Sequence, residues 1–196
     1  MEQSMQTHDK LLDVMNRLVS LTESDKDLVR TSFKPISGEK QSRLVEVGQI
    51  PRCLYFINQG YVRVFALEDG EEMTSHLNCP PGFITAFSSF IRQVPSEDCV
   101  ECLTHADLLA ITRDSLHQLY ALSPRLTEFG RIIFEQSVAY NEQRIKELKS
   151  LTAEQRYLKL LHEHPDIIQN VPLQYIASFI GIKPESLSRI RRQIIS

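Results

Sequence analysis

Apolar positions change their period twice along this chain. Between residues 7 and 33 they recur at helical spacing, with Leu11, Leu12, Met15, Leu18 and Val19 on one side of an amphipathic helix. Leu21-Thr22-x-x-Asp25 then reads as a hydrophobic staple and capping box that open a second, short helix. From Lys34 to about Ile111 the period shortens. The runs "RLVEV", "CLYFI", "YVRVFAL", "EMTSHLN", "CVECLT" and "DLLAIT" are rich in β-branched and aromatic residues, and glycines at 48, 60, 70 and 82 punctuate them. Asp69-Gly70, between two runs, predicts a tight hairpin. Regular short strands with turn glycines predict an antiparallel β-roll or jelly roll.

The helical period returns at Arg113. Ser123-Pro124 supplies a cap and a first-turn proline for a long helix reaching about Ser150. Two apolar stripes run along it, one through Leu126, Phe129, Ile133 and Tyr140, the other through Phe134, Val138, Ile145 and Leu148. They lie roughly 140° apart at 100° per residue. Such a helix needs two partners: its own β-roll, and the same helix in a second copy. Leu151-Thr152-x-x-Gln155 opens the next helix. The expected organisation is α+β: a β-roll with N-terminal helices over 1–122, a dimerising helix over 123–150, and an all-α segment over 151–196.

Composition narrows the class. The 196 residues are 42% hydrophobic, enough for a real core. The opening MEQSMQTHDK is polar and no apolar run reaches 18 residues, so neither a signal peptide nor a membrane partner is expected, and the protein reads as cytoplasmic. Cys53, Cys79, Cys99 and Cys102 are too few and too scattered for a disulfide scaffold. Cys99-x-x-Cys102 falls within a strand, where residues three apart face opposite ways, so these read as structural thiols. The net charge of -3 is uneven. Lys183, Arg189, Arg191 and Arg192 against Glu185 leave +3 from residue 183 on, and so -6 on the rest, which marks a local anion-binding surface.

That cationic end is also patterned. In "LQYIASFIGIKPESLSRIRRQII", Leu173, Ile176, Ala177 and Ile180 form one helix face, Gly181 suits a left-handed stop, and Pro184 suits the first turn of a new helix. Leu187, Ile190 and Ile194 share one side of this second helix; Glu185, Ser188, Arg189 and Arg192 share the other. Two short helices about a glycine turn make a helix-turn-helix. Arginine reads guanine through O6 and N7, and a carboxylate accepts from cytosine N4. Ser186 and Ser188 suit bases or phosphates. Lys183, Arg191, Arg192 and Gln174 suit phosphates.

"IASFIGIKPESLSRIRRQI" resembles the helix-turn-helix of the CRP/FNR bacterial transcription regulators. Ala177, Gly181, Leu187 and Ile190 match its buried positions, and Glu185, Ser188 and Arg189 match the base-reading residues of FNR-type members. Pro184 stands where CRP-type members carry a further arginine. "YFINQGYVRVFALEDGEE" is similar to the hairpin of the family's cyclic-nucleotide-binding roll. The resemblance implies double-stranded DNA, a second copy of the chain, a small-molecule effector of unknown identity and RNA polymerase as partners. It also implies an effector region at Phe83, Ala86, Arg92, Ser96, Glu97 and, from the long helix, Asn141. The cassette departs from the pattern of members that bind cyclic AMP. Ala86 stands at the ribose-binding glutamate, Ser96 at the phosphate-binding arginine, and Glu97-Asp98 follow. Cyclic nucleotide in the usual mode is therefore possible but disfavoured, and no cofactor is certain from the sequence. Longer members continue into a β-hairpin wing beyond the position of Ser196, so the segment is expected to be truncated and to engage fewer phosphates.

Enzyme chemistry finds no footing. The chain has no Ser/His/Asp arrangement, Walker loop or GxGxxG. A metal-binding roll needs two histidines spaced by one on a strand, but His76 and His105 stand alone, and His162 and His164 are expected on a helix far from the roll. No metal is expected. The reading is a non-enzymatic, homodimeric DNA-binding regulator. The alternative is a sensor with a vestigial DNA-binding segment.

Overall fold

The computed structural model describes residues 2–195, with side chains from Thr7 to Ile194. Met1 and Ser196, the outer limits of the expected segments, lie outside the described residues. Helices α1 (Glu2–Leu18) and α2 (Glu23–Ser32) precede the strands. The capping box forms: Asp25 N–H donates to Thr22 Oγ1 at 3.2 Å, and Thr22 N–H donates to Asp25 Oδ2 at 2.8 Å. Asp25 does more than cap α2. Its Oδ1 accepts the Ser123 hydroxyl at 2.5 Å, while Ser123 Oγ accepts the Leu126 amide at 3.3 Å at the start of α5 (Pro124–Ser150). Burial raises the Asp25 pKa, but the bonds from Ser123 and Thr22 outweigh it and hold the carboxyl below its ordinary value.

The β-roll consists of β1 (Lys34–Gly38), β2 (Arg43–Val45), β3 (Cys53–Gln59), β4 (Val62–Glu68), β5 (Glu71–Asn78), β6 (Gly82–Ile84), β7 (Asp98–Cys102) and β8 (Ala106–Thr112). Antiparallel pairing gives one sheet in the order β1-β8-β3-β6 and another in the order β2-β7-β4-β5. The period-2 geometry of strands explains why "CLYFI" is apolar throughout. Tyr55 and Ile57 join Val64, Val100, Leu108 and Ala110 in the core between the sheets. Leu54 and Phe56 face the other way, onto a second core with Leu11, Met15, Val29, Leu116, Leu126 and Phe129 of the helices. Asp69 and Gly70 turn the β4–β5 hairpin with φ of 51° and 82°.

β1, β6 and α3 (Phe87–Arg92) lie outside the runs singled out in the sequence. After β8, α4 (Arg113–Leu122) leads into α5, and then come α6 (Ala153–Glu163), α7 (Pro165–Asn170), α8 (Leu173–Phe179) and α9 (Pro184–Ile195). A third core joins these helices to the roll: Leu77 and Leu103 pack with Tyr157, Leu160, Ile167, Ile176, Ala177, Phe179 and Leu187. The two stripes of α5 part company with expectation in detail. Leu126 and Phe129 are buried in their own protomer, but Tyr140 is nearly half exposed. Phe134 packs edge-on against Phe87 of the same chain, with centroids 6.1 Å apart. Val138 and Ile145 are 59% and 53% exposed.

Candidate nucleic-acid interface

The turn between α8 and α9 is closed by backbone geometry. Gly181 has a φ of +73°, Gly181 N–H donates to Ser178 O at 3.0 Å, and Ile182 N–H donates to Ala177 O at 3.0 Å. This is a Schellman stop, which favours glycine. The inward side of α9 is apolar: Leu187 is fully buried, and Ile190 and Ile194 pack against the third core. The outward side is polar, with Glu185, Ser186, Arg189 and Arg192 exposed and Ser188 and Arg191 half-buried at its margins. Gln174 is exposed on α8. The eight residues expected to meet DNA lie on α8, the turn and α9, and each is at least partly accessible.

This surface is anchored to the roll. Ser178 Oγ accepts the amide of Thr74 at 2.8 Å and donates to the carbonyl of Glu72 at 2.8 Å, so α8 satisfies part of β5, an edge strand. Lys183 Nζ pairs with Glu71 at 2.5 Å on the same strand. Beside them Arg63 of β4, 1% exposed, donates to Glu101 at 2.7 Å and to Glu72 at 2.6 Å. Its guanidinium lies between the rings of Phe65 and Tyr175, 3.9 and 3.8 Å from their centroids. Arginines also meet the carbonyl end of α8: Arg144 donates to Phe179 O at 2.6 Å, and Arg156 to Ile180 O at 2.8 Å. Positive charge there complements the helix dipole. Sequence reasoning missed this whole set of contacts.

The expected effector residues sit in different surroundings. Ser96 is buried, and its hydroxyl is committed to its own loop, donating to Asp98 O at 2.8 Å and accepting from Asp98 N at 3.1 Å. Ala86 is buried at the start of α3, whereas Arg92 and Glu97 are exposed. Phe83 packs with Phe56 and Phe129, centroids 5.0 and 5.9 Å away, within the helix-facing core. Asn141 Oδ1 lies 2.9 Å from His76 Nε2 on β5 of the same protomer. Burial lowers the His76 pKa against the opposing pull of Asn141.

Among the thiols, Cys99 and Cys102 are free and buried. Burial and the neighbouring Asp166 carboxylate push the Cys79 thiol up to about 11. The expectation that His164 lies far from the roll is corrected here. It ends α6 instead of sitting within it, and comes within 4.8 Å of Cys79.

A β-roll joined through one long helix to a helix-turn-helix is the fold of the CRP/FNR-type transcription regulators. Residues 36–123 match the cyclic nucleotide-binding domain family. The chain is similar in structure to FixK2 from Bradyrhizobium japonicum, with a TM-score of 0.72 and 16% identity over 83% of this chain and 84% of that one. It is similar also to CLP, the c-di-GMP responsive global regulator of Xanthomonas campestris, with a TM-score of 0.68 and 18% identity over 88% of this chain and 91% of that one. A crp/fnr-family transcriptional regulator from Eubacterium rectale gives a TM-score of 0.68 at 18% identity, over 88% of this chain and 83% of that one. No protein of curated function matches the chain by sequence. No helix among the described residues is long and apolar enough to cross a membrane.

Proposed function

We propose that this chain is a homodimeric transcription regulator of the CRP/FNR type that binds double-stranded DNA through α9. The observation carrying the reading is the sidedness of that helix, whose leucine is fully buried while Glu185, Ser186, Arg189 and Arg192 face solvent. In a major groove Arg189 donates to guanine O6 and N7, and Glu185 accepts from cytosine N4. Ser186 and Ser188 meet bases or sugar–phosphate; Lys183, Arg191, Arg192 and Gln174 neutralise or bond phosphates. Lys183 must first leave Glu71, but both partners are largely exposed, and such a pair is worth only about 0–1 kcal/mol.

The exposed Val138 and Ile145 on α5 support self-association through that helix. A two-fold pair sets the recognition helices about 34 Å apart, one turn of DNA. The β-roll biases that separation in response to an effector. Cyclic AMP in the usual mode is not that effector, because Ser96 offers its hydroxyl to its own backbone and Glu97 adds negative charge where a cyclic phosphate would sit. RNA polymerase is the further partner this reading implies.

Gel-shift titration on palindromes with varied spacers tests the proposal. Binding should peak at a single spacing, and Arg189→Ala should cost about 1–3 kcal/mol and relax preference at one base pair. Weak, purely salt-driven binding with no preferred spacing refutes it and leaves a sensor with a vestigial DNA-binding segment.

A further inference from the structure

Where the end of β5 meets the α6–α7 turn, three side chains with metal-binding atoms converge from distant parts of the sequence. Cys79 follows β5 directly, His164 sits between α6 and α7, and Asp166 lies in the first turn of α7. The thiol sulfur, an imidazole nitrogen and a carboxylate oxygen all lie within 4.8 Å of one another. A four-coordinate cation with ligands at about 2.0–2.3 Å needs them roughly 3.3–3.8 Å apart, so the side chains close by about 1 Å on binding. His164 and Asp166 are two residues apart on one turn, so one segment presents both, and the roll supplies the sulfur.

We propose that this cluster is a divalent cation site of the zinc class that fastens the C-terminal helices to the β-roll. The donor set argues for the class. Thiolate and imidazole favour a borderline-soft ion over magnesium or calcium, which take oxygen ligands. One carboxylate completes a three-residue set of the kind that leaves a fourth position open to water. The turn that carries two of the ligands is itself held. Asn170 donates to the Asp166 carbonyl at 2.9 Å and to the Tyr61 hydroxyl at 3.0 Å, and this brackets the turn against the roll. On binding, the cation takes the place of the thiol proton, which passes to solvent; no oxidant or reductant enters.

The site has a consequence for the molecule as a whole. The strand that ends just before Cys79 also holds Ser178 and Lys183 through Thr74, Glu72 and Glu71. A cation at its end therefore stiffens the same junction from which α9 is presented.

Cobalt(II) titration of the full chain, with zinc(II) as competitor, tests the site without reference to DNA. Binding should saturate at one cobalt per chain, with a thiolate-to-cobalt charge-transfer band in the near ultraviolet, and zinc should bleach it. Cys79→Ser should abolish the band, whereas Cys53→Ser should retain it. His164→Ala and Asp166→Asn should each weaken binding by more than the roughly 10–100-fold that loss of an outer-shell partner costs. His164 is exposed, so its variant should keep the metal-free circular dichroism and melting curve of the parent even if Cys79→Ser does not. Absence of a charge-transfer band, a band of full strength in Cys79→Ser, or undiminished affinity in folded His164→Ala would each overturn the assignment.

Discussion

Arg63→Ala should destabilise the protein more than any change on the exposed face of α9. The guanidinium is 1% exposed and bonds Glu101, whose side chain is only 9% exposed, and Glu72, whose side chain is 42% exposed. Removing it strands the Glu101 carboxylate in the interior, and breaking a buried pair in this way costs about 3–5 kcal/mol. Glu72 still reaches water, so its share is about 0–1 kcal/mol. Loss of the two ring faces adds roughly 0.5–1 kcal/mol for each ring. One term opposes these: Arg63 Nη1 is buried with no hydrogen-bond partner among the described residues, and removing it relieves about 1–3 kcal/mol. The net cost stays near 3–5 kcal/mol, a large part of the roughly 5–15 kcal/mol that holds a domain folded. The carboxylate dominates this sum, so Arg63→Met combined with Glu101→Leu should recover most of the loss, because replacing a whole buried pair by apolar groups is often neutral. Urea unfolding followed by circular dichroism on the wild type, both single variants and the double variant measures the coupling. A single variant within about 1 kcal/mol of wild type, or a double variant no better than Arg63→Met, would refute the reasoning.

Asp25→Ala should cost about 2–3 kcal/mol, because a charged acceptor shared by α2 and α5 is lost. The Asp25 carboxyl titrates lower in the folded state than in the unfolded chain, so the unfolded state binds more protons in acid. Its contribution should be fully present above about pH 4, the ordinary Asp range, and should vanish as pH falls through the depressed folded value. Unfolding midpoints of wild type and Asp25→Ala measured from neutral to strongly acidic pH should therefore converge only at the acid end. Ile145→Asp should abolish self-association without unfolding the protomer, since the side chain is 53% exposed within one chain. Burying each isoleucine is worth roughly 1.5–3 kcal/mol and two-fold symmetry counts it twice, so sedimentation should show dimers for the parent only. A monomeric parent, or a dimeric variant, would count against α5 as the interface.

What the sequence disclosed depended on how far apart the interacting residues lie. The two caps at Thr22 and Ser123, the Asp69-Gly70 turn and the Gly181 stop are each set within a few residues, and each forms as the local chemistry predicts. The polar face of α9 was legible because a period of 3.6 separates inward from outward positions without reference to the rest of the chain. β1 escaped notice because Pro35 and its exposed neighbours give it no alternation, a composition that only an edge strand tolerates. β6 is three residues long and α3 and α7 six each, too short for any period to register.

The docking of α8 on β5 was hidden for a different reason, although the sequence carries one trace of it. Six of the eight residues from Leu173 to Ile180 are apolar or aromatic, more than a helix covered on one side requires. The surplus is accounted for by a second covered side. Tyr175 lies over Arg63, and Ser178 is bonded to the edge of β5. Phe179 takes the guanidinium of Arg144 on its ring. Helix-turn-helix patterning predicts the polar face and the face that meets the core; excess apolarity in the first of its helices predicts that a third body, here the roll, presses on the remainder. The same docking brings His164 and Asp166 to Cys79, and for that reason no spacing rule along the chain could have found them.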